Sequence, residues 1–170
     1  MSNDSARTIV YAGICIALTV IFSYVFAIRT TFVHITFGFL PISLYAMRFG
    51  PRQAGIVAAT ADVIGTGVLG LSIFFPGFIL SGFLTGWIFG YFLYQKKITI
   101  RQVVLPFLLI TLCIHLGLNT LWLTFFYGKA VSAIFLNRLI KNILCFPMEI
   151  SLFFMAYKSI YNLLPTWQKN

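Results

Sequence analysis

The stretch PGFILSGFLTGWIFGYFLYQKK, residues 76–97, decides how the rest of the chain reads. It opens on a proline, runs apolar and aromatic without a charge, and closes on the pair Lys96 and Lys97. A helix rises about 1.5 Å per residue, so about 20 such residues cross a bilayer's hydrocarbon core. The stretch therefore predicts a membrane-spanning helix from Gly77 to about Gln95. Gly82, Gly86 and Gly90 recur at four-residue spacing within it. Small residues let helix backbones approach closely, so this face predicts tight packing, either internal or against another membrane protein.

Working outward, the same reading applies to most of the chain. Hydrophobic residues make up 60% and charged residues 9%, where soluble domains average about 25% charged. We expect an all-α integral membrane protein, residues 1–170 forming a single transmembrane domain of six helices. Helix 1 is expected over about Arg7–Ala27 and retained, since no cleavable signal precedes it. A polar connector from Ile28 to Thr36, carrying Arg29 and His34, leads to a short helix 2, about Phe37–Phe49, ended by Gly50-Pro51. Helix 3 follows over about Gln53–Gly70, helix 5 over about Gln102–Phe126, and helix 6 over about Val131–Leu164, with a possible bend at Pro147.

The net charge of +9 is distributed by topology, which argues against nucleic-acid binding. With the N-terminus inside, Arg7, Arg48, Arg52, Lys96, Lys97, Arg101, Lys158 and Lys169 are cytoplasmic, and both termini lie inside. Arg29, Lys129, Arg138 and Lys141 remain on the other side and need another explanation.

Arg138 and Lys141 are the sharpest case. A charge at membrane depth costs roughly 2.5–3.5 kcal/mol on insertion scales, so it faces a partner or a pocket. On a helical projection Arg138, Lys141, Asn142, Cys145 and Glu149 share one polar stripe. Ligand contact by at least one cation competes with snorkelling to the headgroups and with neutralisation by Glu149 or Asp62. Helix 5 supplies a facing stripe of Thr111, His115, Asn119, Trp122 and Phe126. An amide that donates and accepts, beside a flat indole, suits an aromatic ligand with hydrogen-bonding edges. Interhelical packing is the alternative. Asp62 is expected as a packed, hydrogen-bonded carboxylate, with a ligand group as the alternative, and His115 as a structural hydrogen bonder.

The chain has no phosphate-binding G-x-x-x-x-G-K-[ST] loop, no H-E-x-x-H and no G-x-S-x-G, so no catalytic residues, cofactor or metal site are expected. Cys15, Cys113 and Cys145 form no paired motif.

Five blocks then carry a family resemblance: FGFLPISLYAMRFGP (37–51), AATADVIG (58–65), PGFILSGFLTGWIFGYFLYQKK (76–97), NTLWLTFFYGKA (119–130) and RLIKNILCFP (138–147). They resemble the substrate-binding S components of energy-coupling factor (ECF) transporters, bacterial vitamin importers, and most nearly the folate-specific branch. The resemblance implies a multi-pass protein of the bacterial cell membrane, in contact with membrane lipid. It binds its vitamin near the outer surface and docks onto a module of one transmembrane protein and two ATPases. Where the family uses an alanine-x-x-x-alanine contact on helix 1, this chain has Gly13 and Ala17. Folate, with a flat pterin and a dianionic tail, suits the residues: Phe74, Phe75, Trp122 and Tyr127 to stack, Asn119 to read an edge, and Arg29, Arg138 and Lys141 to meet carboxylates. The competing expectations are an S component for another vitamin or nucleobase-like solute, a small membrane enzyme gripping lipid headgroups, and an assembly subunit without a ligand.

Overall fold

The computed structural model describes residues 2–29, 34–70, 75–96, 98–122 and 131–163, with side chains over 6–27, 36–70, 75–96, 98–122 and 139–159. Helix α1 spans Ser2–Val20 and continues as a wider, π-type turn over Ile21–Val25. A two-residue ribbon follows, β1 (Ile28–Arg29) antiparallel to β2 (His34–Ile35), with Arg29 opposite His34. Helix α2 is Phe39–Phe49, and α3 is Pro51–Asp62 with a π-type extension over Val63–Val68. Helix α4 is Pro76–Leu93, α5 is Ile100–Leu109 extended by π-type turns over Ile110–Leu118, and α6 is Val131–Leu163. Helical segments thus lie where the sequence reading placed helices, while the expected ends at Phe126 and Leu164 lie outside the described residues. Pro147 lies inside α6 without ending it. The connector after helix 1, expected only as polar coil, carries the short ribbon.

Four described helical spans are long and apolar enough to cross a membrane: Ala6–Val25, Pro76–Leu93, Ile100–Trp122 and Leu139–Ser159. Their outward faces are apolar, with Ile9, Leu144 and Met155 each about 70% exposed (70%, 70% and 71%). Water would penalise such faces, whereas lipid tails solvate them, and helices alone satisfy their own backbone there.

The turn between α2 and α3 is set by two residues. Gly50 adopts φ +86°, a conformation costly for any side chain, and Pro51 starts α3 with its φ already helical. The Gly50 N–H closes α2 onto the Ala46 carbonyl at 3.1 Å, and the Ala54 N–H opens α3 onto the Gly50 carbonyl at 3.1 Å.

Helix α3 then packs antiparallel against α4 at backbone distance. A methyl group at Gly86 would overlap the Ala54 carbonyl and come within 2.9 Å of the Gly55 nitrogen; one at Gly90 would overlap the Pro51 backbone. The glycine spacing read from the sequence therefore serves an internal contact. Phe83 covers Gly55 from the α4 side.

Next to this seam, Phe107 of α5 binds three other helices together. Its ring meets Phe89 of α4 at 5.1 Å, Phe39 of α2 at 5.5 Å and Phe153 of α6 at 5.9 Å, all edge-to-face. Such pairs contribute about 0.5–1.5 kcal/mol each beyond the area they bury. Phe89, Phe107 and Phe153 are fully buried.

The helices alternate in direction, so chain ends sort into two layers. Exposed Arg7, Arg48, Arg52, Lys96 and Arg101 gather at one end of the bundle. The π-type segments 21–25, 63–68 and 110–118 gather at the other, where the ring of Tyr24 lies against Gly65.

Replacing Gly86 by Val is expected to destabilise the fold by about 1–3 kcal/mol or prevent folding, the usual cost of overpacking against rigid neighbours. Gly13→Ala, where a Cβ meets open space, is expected to leave the melting temperature unchanged or raise it. Thermal unfolding in detergent compares the two.

Candidate functional site

The π-type end of the bundle holds the candidate site. Pi-type turns are uncommon and recur at functional positions, because they re-aim side chains that a regular helix would place elsewhere. Helix α5 shows the consequence. It carries Pro106, which lacks a donor N–H, and passes into the wider register at Ile110. The stripe read at regular helical spacing is therefore modified, yet Thr111, His115, Asn119 and Trp122 remain half-buried while Leu112 and Cys113 face outward.

Trp122 reaches across to the start of α4. Its indole N–H donates to the Ser81 hydroxyl oxygen at 3.2 Å, and that hydroxyl donates to the Gly77 carbonyl at 3.2 Å. Phe75 meets Trp122 with ring centroids 5.6 Å apart at 63°, and Phe78 meets Phe75 at 5.8 Å and 76°. Gly77 is glycine because this cluster leaves no room: a Cβ there would stand 2.6 Å from the indole and overlap the Phe75 ring. Two aromatics expected from the sequence are thus brought together, packed edge-to-face on one another. Ser81 and Gly77, which the sequence reading passed over, hold them. The available signal was the small-residue run PGFILSG, where a serine interrupts an otherwise apolar face.

Asn119 sits three residues before Trp122, at the end of the π-type run. Its side-chain oxygen is buried and accepts no hydrogen bond among the described residues. Buried amide oxygens are paired in the great majority of proteins, so an unpaired one at the mouth of a bundle points to a missing partner. On α6, Asn142 and Cys145 are buried and Lys141 is half-buried. Lys141 stands close enough to Glu149 and Cys145 for its charge to act on both.

Other expected residues are placed only in part. Arg29 lies in β1 and Arg138 in α6, with the backbone alone described; Phe74 and Tyr127 lie outside the described residues. Gly13 and Ala17 lie exposed on α1, with open space over Gly13 and with Ile9, Val10, Ile14 and Leu18 exposed around them. The expectation for Asp62 needs correction: no described residue donates a hydrogen bond to its carboxylate. The reason is local: the facing residue is Gly82, which offers no side-chain donor.

A helical bundle with apolar outward faces, a polar and aromatic cluster at one end and cations at the other, defines a multi-pass membrane protein with its candidate site at the aromatic end. The chain belongs to the ECF-type riboflavin transporter S component family, whose family model matches residues 3–158. It is 38% identical over 154 residues to the folate transporter FolT of Clostridium novyi (strain NT), covering 91% of this chain and 90% of that protein. It is 29% identical over 153 residues to the folate transporter FolT of Leuconostoc mesenteroides, covering 86% and 82%. The fold superposes on a crystal structure of FolT bound with folic acid with a TM-score of 0.83 and 42% identity, covering 89% of this chain and 93% of that one.

Ser81→Ala removes the acceptor of the indole bond and is expected to cost about 0.5–1.5 kcal/mol in the unliganded protein. In a double-mutant cycle with Trp122→Phe, the two losses are expected to add to less than their sum, because they share one hydrogen bond.

Proposed function

We propose that this chain is the folate-specific S component of an ECF importer. What carries the reading is the 42% identity, across nearly the whole fold, to a structure solved as FolT bound with folic acid. The site chemistry supports it. Folate has a flat pterin, an aminobenzoyl ring and two carboxylates. Phe75 and Trp122 offer rings to the ligand, and Phe74 and Tyr127 are proposed for the same role; Asn119 offers an oxygen unpaired among the described residues; Arg29, Arg138 and Lys141 are proposed to meet the carboxylates through charge-assisted bonds.

In this reading residues 1–170 form one domain of six membrane spans in a bacterial cell membrane, with both termini cytoplasmic. The layer of exposed cations at the end away from the site supports that orientation by the positive-inside rule. The chain catalyses nothing. It holds the vitamin at the outer face and delivers it inside when docked on a module of one transmembrane protein and two ATPases, which hydrolyse the ATP. The open notch at Gly13 and Ala17, set in an exposed apolar helix face, is the surface offered to that module.

A second reading has one specific observation behind it: the matching family model is named for riboflavin. The two vitamins are separated by a thermal-shift panel on the purified protein. A ligand at about 100 times its dissociation constant stabilises by about 2.7 kcal/mol, so folate is expected to raise the melting temperature while riboflavin does not. A shift with riboflavin alone reverses the assignment. For the tail, Lys141→Ala is expected to weaken folate binding about tenfold or more, with a smaller effect on a pteroate that lacks the glutamate. Equal affinity for folate in the variant and the parent removes Lys141 from the site.

A further inference from the structure

We propose that Asp62 reads the nitrogen-bearing edge of the ligand, its carboxylate accepting from adjacent amino and ring N–H groups of a 2-amino-4-oxo heterocycle. This rests on the folate reading and deepens it, naming the group that selects the pterin end.

The inference begins with what surrounds the carboxylate. Asp62 is the last residue of α3 and immediately precedes the π-type turn at Val63. One carboxylate oxygen lies against the bare α-carbon of Gly82 on α4, where any Cβ would collide with it. Gly82 adjoins Ser81, the residue that anchors Trp122. Asp62 thus meets α4 one residue along the chain from the anchor of the aromatic cluster. It is recessed among protein atoms yet keeps some accessible surface.

Among the described residues, the hydroxyl donors beside it on α3 and α4 are committed elsewhere. On α3 and its extension, the Thr60 hydroxyl bonds the Ile56 carbonyl at 2.7 Å and the Thr66 hydroxyl bonds the Asp62 carbonyl at 2.6 Å. On α4, Ser81 bonds the Gly77 carbonyl at 3.2 Å and Thr85 bonds the Ser81 carbonyl at 2.8 Å. The Trp122 N–H is taken by Ser81. Among the described residues no cation acts on the carboxylate. A recessed carboxyl group without donors is costly unless something supplies them.

The second unpaired group at this end of the bundle is the Asn119 side-chain oxygen, also an acceptor. Two acceptors without donors among the described residues call for a donor-rich edge. A 2-amino-4-oxo ring presents an amino N–H and a ring N–H side by side, spaced to meet both oxygens of one carboxylate, as a guanidinium does.

The test compares folate with its analogue bearing a 2-methyl in place of the 2-amino group, by equilibrium binding to the purified protein in detergent. The parent protein is expected to bind folate about tenfold or more tightly than the analogue. Asp62→Ala and Asp62→Asn are expected to lose about tenfold to a hundredfold in folate affinity and to bind the two ligands alike, while melting normally without ligand. Asparagine preserves the volume, so it tests recognition if alanine fails to fold. A parent protein that binds folate but does not distinguish the analogue overturns the Asp62 assignment and leaves the folate reading standing. So do variants that keep the parent's preference. A parent protein that binds no folate overturns the folate reading itself, and this assignment with it.

Discussion

The backbone contact between α3 and α4 is the constraint on which the rest depends. Gly86 and Gly90 let the two helices meet with no side chain between them, and Gly50 with Pro51 sets the turn that aims α3 along α4. With lipid outside, little hydrophobic force drives helices together, so close packing and dispersion must hold them. The seam fixes where Asp62 faces Gly82 and where Ser81 presents its hydroxyl to Trp122. Phe107 then ties α2, α5 and α6 to the same rigid layer through its ring contacts.

The two layers of the bundle divide the work. The layer with the phenylalanine cluster and the exposed cations is close-packed and regular. The other layer has π-type turns in three helices, an aromatic cluster held by one serine, and acceptors without donors among the described residues. A binding protein needs both. Unpaired polar groups are tolerable where a ligand completes them, provided the remaining helix contacts hold their positions without it.

Much of this was legible in the sequence, for reasons that differ by residue. Apolar runs of spanning length located the helices because lipid demands them. The spacing of Gly82, Gly86 and Gly90 announced a close contact, but a small-residue face has no address, and only the fold shows that α3 fills it. Phe75 and Trp122 were legible as aromatics near one end; their dependence on Ser81 and Gly77 was not, because it arises between positions far apart in the chain. The regular projection of helix 5 missed the change of register after Pro106. Asp62 was misread because a buried carboxylate is ordinarily paired, and the spacing gave no sign that its neighbour across the seam is a bare glycine.

The account's central claim is that the Trp122 end of the bundle binds folate. Its most direct measurement is fluorescence titration of a protein whose Trp87 and Trp167 are replaced by Phe, leaving Trp122 as the reporter. Quenching that saturates at one folate per chain, with no response to riboflavin, is the predicted result. Saturating quenching by riboflavin, with none by folate, contradicts it.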